Sequence, residues 1–280
     1  MNDHISISLI IVNRNVGELL SRCLNSIRTT GDLSHEVIVV DNASSDGSPA
    51  MLSREHPEAR LITNPKNLGF AAACNIGIKA SSGKYPVLLN PDTLVGPGCL
   101  KSLFDFMESN PKAGLAGPKV LNPDGSLQPT IRAIPGYVNI LFARKSPITS
   151  IWPGNPGAAS YMLRGLPDDQ PSAVPALAGV CLILRREMLE QTGALDERYF
   201  MYLEDIDLCL NASQKGWQTF YVPQARLIHY WGKSSEQEKA RMDEEHRRSM
   251  YLFFKKNHRP NMPQMIYLKA ALYLHKMLTK

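Results

Sequence analysis

The chain has 280 residues, 44% of them hydrophobic and 20% charged, which excludes a disordered or fibrous protein and fits one large globular domain or a domain with a subdomain. Its net charge of +5 is uneven: residues 246–280 hold eight Lys or Arg and no acid, while residues 1–245 hold 23 basic and 26 acidic groups, a net of −3. The mildly acidic body argues against a nucleic-acid groove, and the basic tail points to an anionic surface.

Met1-Asn2-Asp3-His4 leads straight into a strand pattern from Ile5 to Val12, so no signal peptide is expected. Asn13-Arg14-Asn15 ends that strand, and Asn15 with Glu18 forms a capping box for a helix marked by Val16, Leu19, Leu20, Cys23, Leu24 and Ile27. A second buried strand, Glu36 to Val40, gives way to a polar loop from Asp41 to Ser48, with Ser48 as cap and Pro49 as first residue of the next helix. Ala59 to Thr63 is a third strand, Asn64 to Gly69 its loop, and Phe70 to Ala80 a helix of small residues. Val87 to Leu89 reads as a strand buried on both faces that breaks at once into Asn90-Pro91-Asp92. Leu100, Leu103, Phe104 and Met107 mark another helix.

From Ala133 to Pro175 the chain carries seven prolines and four glycines, as a long irregular insertion does. A strand from Ala178 to Leu184 follows, then Tyr199 to Asp207 opens a helix that runs to about Lys215 and stops at Gly216. Two short strands, Gln218 to Val222 and Ala225 to His229, and a helix from about Glu236 to Asn257 complete the body. In the tail, Tyr267, Ala271, Leu274 and Leu278 share one helical face and Lys269, Lys276 and Lys280 lie roughly opposite. Such a helix should lie on an anionic membrane; the alternative is a helix packed on the body or on the second subunit of a homodimer. No apolar run reaches the ~18 residues of a spanning helix. Five cysteines with no Cys-x-x-Cys pair fit reduced thiols, so the expected place is the cytoplasm, with the tail able to reach the inner face of the membrane.

Strands alternating with helices at short spacing predict a parallel sheet with right-handed crossovers. The loops at Asn13, Asp41 and Asn64 then share one rim with Asp92, where open α/β sheets bind ligands. The Gly-rich turns of dinucleotide and P-loop folds and the Gly-x-Ser-x-Gly elbow are absent. A spread set of carboxylates takes their place. Asp41 either accepts an N–H from a nucleobase or closes an Asx-turn. Pro91 stiffens the turn that presents Asp92 as a hard oxygen ligand for Mg²⁺ or Mn²⁺. Glu204, Asp205 and Asp207 crowd a helix start, where acids favour the dipole but also repel one another and can become bases. His229 ends a strand.

Six stretches together resemble family 2 glycosyltransferases of the GT-A fold, especially the rhamnosyltransferase-like branch. They are Ile10 to Asn15, Val37 to Ser48, Asn67 to Asn75, Leu89-Asn90-Pro91-Asp92, Phe200 to Cys209, and His229-x-x-Gly-x-Ser234, in family order over roughly residues 5–255. The resemblance implies an α/β GT-A fold over residues 1–257: a Rossmann-like, mostly parallel sheet flanked by helices, with C-terminal helices and a basic tail at 258–280. Residues 1–118 would be the nucleotide-sugar half and 119–257 the acceptor and catalytic half. It implies that Asn13, Asp41, Asn67, Gly69, Asn90 and Asp92 hold the donor, that Asp92 holds Mg²⁺ or Mn²⁺ with His229 as a second metal ligand or a diphosphate contact, and that Asp205 is the general base. Glu204, Asp207, Gly179 and Ser234 would support it or the acceptor. The reaction implied is inverting transfer from a nucleotide-sugar, dTDP-L-rhamnose first and UDP- or GDP-sugars next, to a glycan or lipid-linked acceptor. A non-catalytic nucleotide-sugar-binding protein is the alternative from another class. Asn90 for the first acid of Asp-x-Asp, Arg14 for an aromatic and Asn211 for an arginine are departures from the family pattern.

Overall fold

The structure, a computed structural model, describes residues 5–30, 33–137, 152, 169–230 and 239–278. Most of the insertion at 133–175, and Gly232 and Ser234, lie outside them.

Four parallel strands form one flank of the sheet: β3 (Arg60–Thr63), β2 (His35–Asp41), β1 (Ile7–Asn13) and β4 (Tyr85–Leu89). Asn13 pairs with Asp41, Asp41 with Thr63 and Ile11 with Leu89, so all four strands end on one rim, as the polar loops predict. Alternate residues of these strands enter two separate cores. Ile7, Leu9 and Ile11 pack towards α1 (Gly17–Arg28), α2 (Ser48–Glu55) and α4 (Cys99–Ser109). Ile10 and Val12 pack with α3 (Phe70–Ala80) and with later helices. A strand with helices on both faces reads as an unbroken apolar run.

Beyond β4 the sheet is mixed rather than parallel throughout. β10 (Cys181–Leu184) runs antiparallel between β4 and β6 (Ala113–Leu121). β6 is parallel to β11 (Gln218–His229), and β11 also pairs antiparallel with β5 (Thr93–Val95) and β8 (Ser172–Val174). A two-stranded ribbon, β7 (Ile131–Arg132) with β9 (Ala176–Leu177), stands apart. The two strands expected between Gln218 and His229 are one, with a register shift between Val222 and Arg226.

α5 (Arg186–Thr192) and α6 (Glu204–Gln214) cover one face, and α7 (Lys239–Asn257) and α8 (Met262–Leu278) close the chain. Two expected caps are absent. Val16 precedes α1 with no side-chain cap; instead Asp46 accepts the Gly17 N–H, and Asn15, at φ 54°, accepts the Ser45 N–H at 2.7 Å. Ser48 is already inside α2, which Gly47 precedes in the left-handed region.

Candidate active site

The β5–β11 ladder sets His229 opposite Thr93, and the Tyr230 N–H donates to the Asp92 carbonyl at 2.9 Å. Two residues 137 apart in sequence thereby meet: His229 Nε2 lies 3.1 Å from Asp92 Oδ1, both side chains buried. The other ring nitrogen, Nδ1, donates to Gln128 Oε1 at 2.6 Å. Gln128 spends its own N–H groups on Asn122 Oδ1 and the His229 carbonyl, so its oxygen faces the ring. The proton therefore sits on Nδ1, and the Nε2 lone pair faces a carboxylate oxygen. The Asn90 amide nitrogen stands 3.5 Å from the same Nε2. Two neighbouring ligands of an octahedral ion, each ~2.1 Å from it, stand about 3.0 Å apart, so the pair fits a divalent ion. Gln128 has no motif signal; only the fold places it behind the histidine.

The Asn90-Pro91-Asp92 turn leans on the segment between β9 and β10. The Asn90 N–H donates to the Val180 carbonyl at 2.9 Å. One residue earlier, the Gly179 N–H donates to Asp205 Oδ2 at 2.7 Å. The Asn90-Pro91-Asp92 turn and the Asp205 side chain thus bond adjacent residues of one short segment. Asp205 Oδ1 also accepts the Ile206 N–H at 2.7 Å. Burial raises the Asp205 carboxyl above its usual range, against the lowering effect of these N–H groups and of Arg132, a cation that the sequence reading does not single out. Glu204 is more deeply buried, with Oε2 unpartnered, and burial followed by the Asp205 charge pushes it well up. Of the two, Glu204 is the one that burial pushes more strongly towards its neutral form.

Asp207 turns the other way. Its oxygens accept Tyr199 Oη (3.1 Å), Asn257 Nδ2 (2.9 Å), Asn211 Nδ2 (3.0 Å) and Lys256 Nζ (2.6 Å). Lys256 also reaches Asp196 Oδ2 at 2.9 Å. From the same helix, α7, Ser249 Oγ donates to the Met201 carbonyl, and Arg241 stacks on the Phe200 ring. Asp207 is the anchor of α7 beneath the segment that carries Asp205. Asn211 is part of that anchor.

On the adjoining rim, Asp41 accepts Asn13 Nδ2 and the Ser44 N–H, each at 2.9 Å, so it does close an Asx-type turn. Asn13 Oδ1 is buried without a partner. Arg14 donates to the carbonyls of Asn42 and Ala43. Asn42, which the sequence reading passes over, ties the loops together: it donates to Asn67 Oδ1 and the Gly69 carbonyl, and accepts from Asn64 and the Leu68 N–H. Gly69 sits at φ 88°, where a Cβ would lie 2.5 Å from the Phe200 carbonyl oxygen. The expected result for Gly69→Ala is a chain less stable by about 2 kcal/mol or more, read by denaturant unfolding, because neither that backbone angle nor that approach tolerates a methyl.

The family model for Glycosyl transferase family 2 matches residues 8–193. The N-acetylglucosaminyl-diphospho-decaprenol L-rhamnosyltransferase of Mycobacterium tuberculosis is 33% identical over 262 residues, 89% of this chain and 84% of that protein. The chain belongs to glycosyltransferase family 2. A low-salt glycan biosynthesis hexosyltransferase of Haloferax volcanii is also similar, at 26% identity over 75% of this chain and 62% of its own. The enzyme shares its GT-A fold with a mannosyltransferase from Pyrobaculum calidifontis, solved with GDP-Man and Mn²⁺, at a TM-score of 0.62 and 17% identity over 99% of this chain and 74% of that one. GalNAc-T7 with UDP, GalNAc and Mn²⁺ gives 0.61 at 17% identity, covering 97% of this chain and 55% of that one. In this glycosyltransferase all five thiols are free and buried, and burial pushes Cys23, Cys99 and Cys209 up to about 12. None is a nucleophile at neutral pH.

Proposed function

We propose that this glycosyltransferase moves L-rhamnose from dTDP-L-rhamnose, with inversion, to a hydroxyl of a lipid-linked glycan in cell-surface polysaccharide synthesis. The observation that carries the chemistry is that the turn ending in Asp92 and the Asp205 carboxylate are tied to neighbouring residues, Val180 and Gly179, of one segment. A donor diphosphate at Asp92 and an acceptor hydroxyl at Asp205 then share one crevice. The choice of donor and acceptor is supported by the likeness to the mycobacterial rhamnosyltransferase.

Asn13 and Asp41 hold the nucleobase, where the unpartnered Asn13 Oδ1 suits a ring N–H. Asn42, Asn67 and Gly69 shape that wall, and Asn90 flanks the diphosphate. Asp92 and His229 hold Mg²⁺ or Mn²⁺, which when bound neutralises charge developing on the leaving diphosphate. Asp205 takes the proton of the acceptor hydroxyl. Gly179 aims it through its N–H, and Glu204 stays neutral beside it. One base and no protein nucleophile make a single displacement, which inverts the anomeric carbon.

A thermal-shift panel of dTDP-, UDP- and GDP-sugars with and without Mn²⁺ tests the donor. The largest rise is expected from dTDP-L-rhamnose with Mn²⁺; a larger rise from a UDP- or GDP-sugar would reassign it. Gln128→Ala frees the His229 ring to turn and change tautomer, so Mn²⁺ affinity, read by electron paramagnetic resonance, should fall ~10–100-fold. Unchanged affinity would remove His229 from the metal site.

A further inference from the structure

We propose that the outward face of α8 is a docking surface for an anionic lipid bilayer, and that the enzyme lies on the membrane through it without crossing. The inward face of the helix is settled by packing: Leu268 is fully buried, and Met265 and Leu272 pack against the core. The outward face is apolar where a surface helix should be polar. Met262, Ile266, Tyr273 and Met277 are 74%, 62%, 66% and 53% exposed. At 100° per residue these four fall within about 60° of arc. This stripe differs in part from the face expected from the sequence: Tyr267 leans on the body, donating to the Tyr137 carbonyl, and Ala271 is half-buried, while Leu274 of that face is exposed.

Charge chooses among the occupants. Lys269 and Lys276 border the stripe, both exposed, and no acid occurs between residues 246 and 280. Apolar side chains edged by lysines suit acyl chains below and anionic headgroups beside them. A second copy of the chain fits less well. In an antiparallel two-fold pairing the same stripe would set lysine against lysine. Spanning is excluded for this element: among the described residues no helix is long and apolar enough to cross a membrane.

The test is sedimentation of the full chain with vesicles of phosphatidylcholine alone and with 30% phosphatidylglycerol. The chain should sediment with the anionic vesicles, less so as salt rises, and poorly with the neutral ones. Ile266→Asp with Met277→Asp should weaken that binding at least tenfold. Lys269→Glu with Lys276→Glu should weaken it by about fivefold or more per residue. These side chains are exposed, so Tm and donor binding should hold in both variants, a control that also separates failure here from failure of the sugar-transfer reading. Vesicle binding equal to that of the unaltered chain would overturn the proposal. So would a dimer, seen by light scattering, that the Asp variants split, since that makes a second copy the occupant. A fall of several degrees in Tm without loss of vesicle binding would mean the stripe is covered within the chain, and overturns it too.

Discussion

Asp205→Asn should lose turnover by ~10²–10⁴ while still binding donor and metal. The amide cannot accept a proton at neutral pH. Nor can it accept two N–H groups as the carboxylate does, from Gly179 and Ile206. A modest fall in stability, about 1–3 kcal/mol, should accompany the loss, so the comparison is made below the new Tm. The pH profile carries a second signature. The base acts when ionised, and burial raises its pKa above the ordinary carboxylate range. The acidic limb of kcat should therefore fall away at a higher pH than for a free aspartate. Asp207→Asn serves as the contrast: it should fail through unfolding rather than through chemistry, because it loosens Lys256 and α7. Should folded Asp207→Asn lose turnover while Asp205→Asn keeps it, the base is misassigned.

Asp92→Ala should abolish donor binding that depends on a divalent ion, and should drop turnover to the limit of detection. His229→Ala should weaken both less, because a carboxylate carries charge to the ion and an imidazole does not. Calorimetry of donor binding with Mn²⁺ and with EDTA reads the effect directly. Activity unchanged in EDTA would sink the metal assignment and leave the diphosphate to be met by Lys or Arg.

Much of the parallel flank of the sheet is legible in the sequence because β1, β4 and most of β2 are buried on both faces, and strands so placed are mostly apolar. β6 is not legible. It runs Ala-Gly-Leu-Ala-Gly-Pro, because close packing demands small residues; a Cβ at Gly114 would sit 2.8 Å from Trp217 Cβ. A three-residue strand such as β5 carries no periodicity at all. Asn15 and Glu18 spell a capping box, yet a loop from another strand claims Asn15 first. Long-range hydrogen bonds outbid a local motif there. The 200° between Asp205 and Asp207 follows from helix geometry alone. What each one faces, Gly179 or Lys256, depends on segments far away in sequence.

The clamp of α7 on Asp207 has a consequence for how the protein comes to be made. Chains emerge from the ribosome N-terminus first, and early parts can fold before later ones exist. The four parallel strands β1 to β4 are complete by residue 89, yet Asp207 gains its ammonium partner only at residue 256. Until then that buried carboxylate lacks its Lys256 partner, and the segment bearing Asp205 lacks the helix that braces it. The parallel flank of the sheet can thus form early in synthesis, and the bracing of α6 by α7 only in its final stretch.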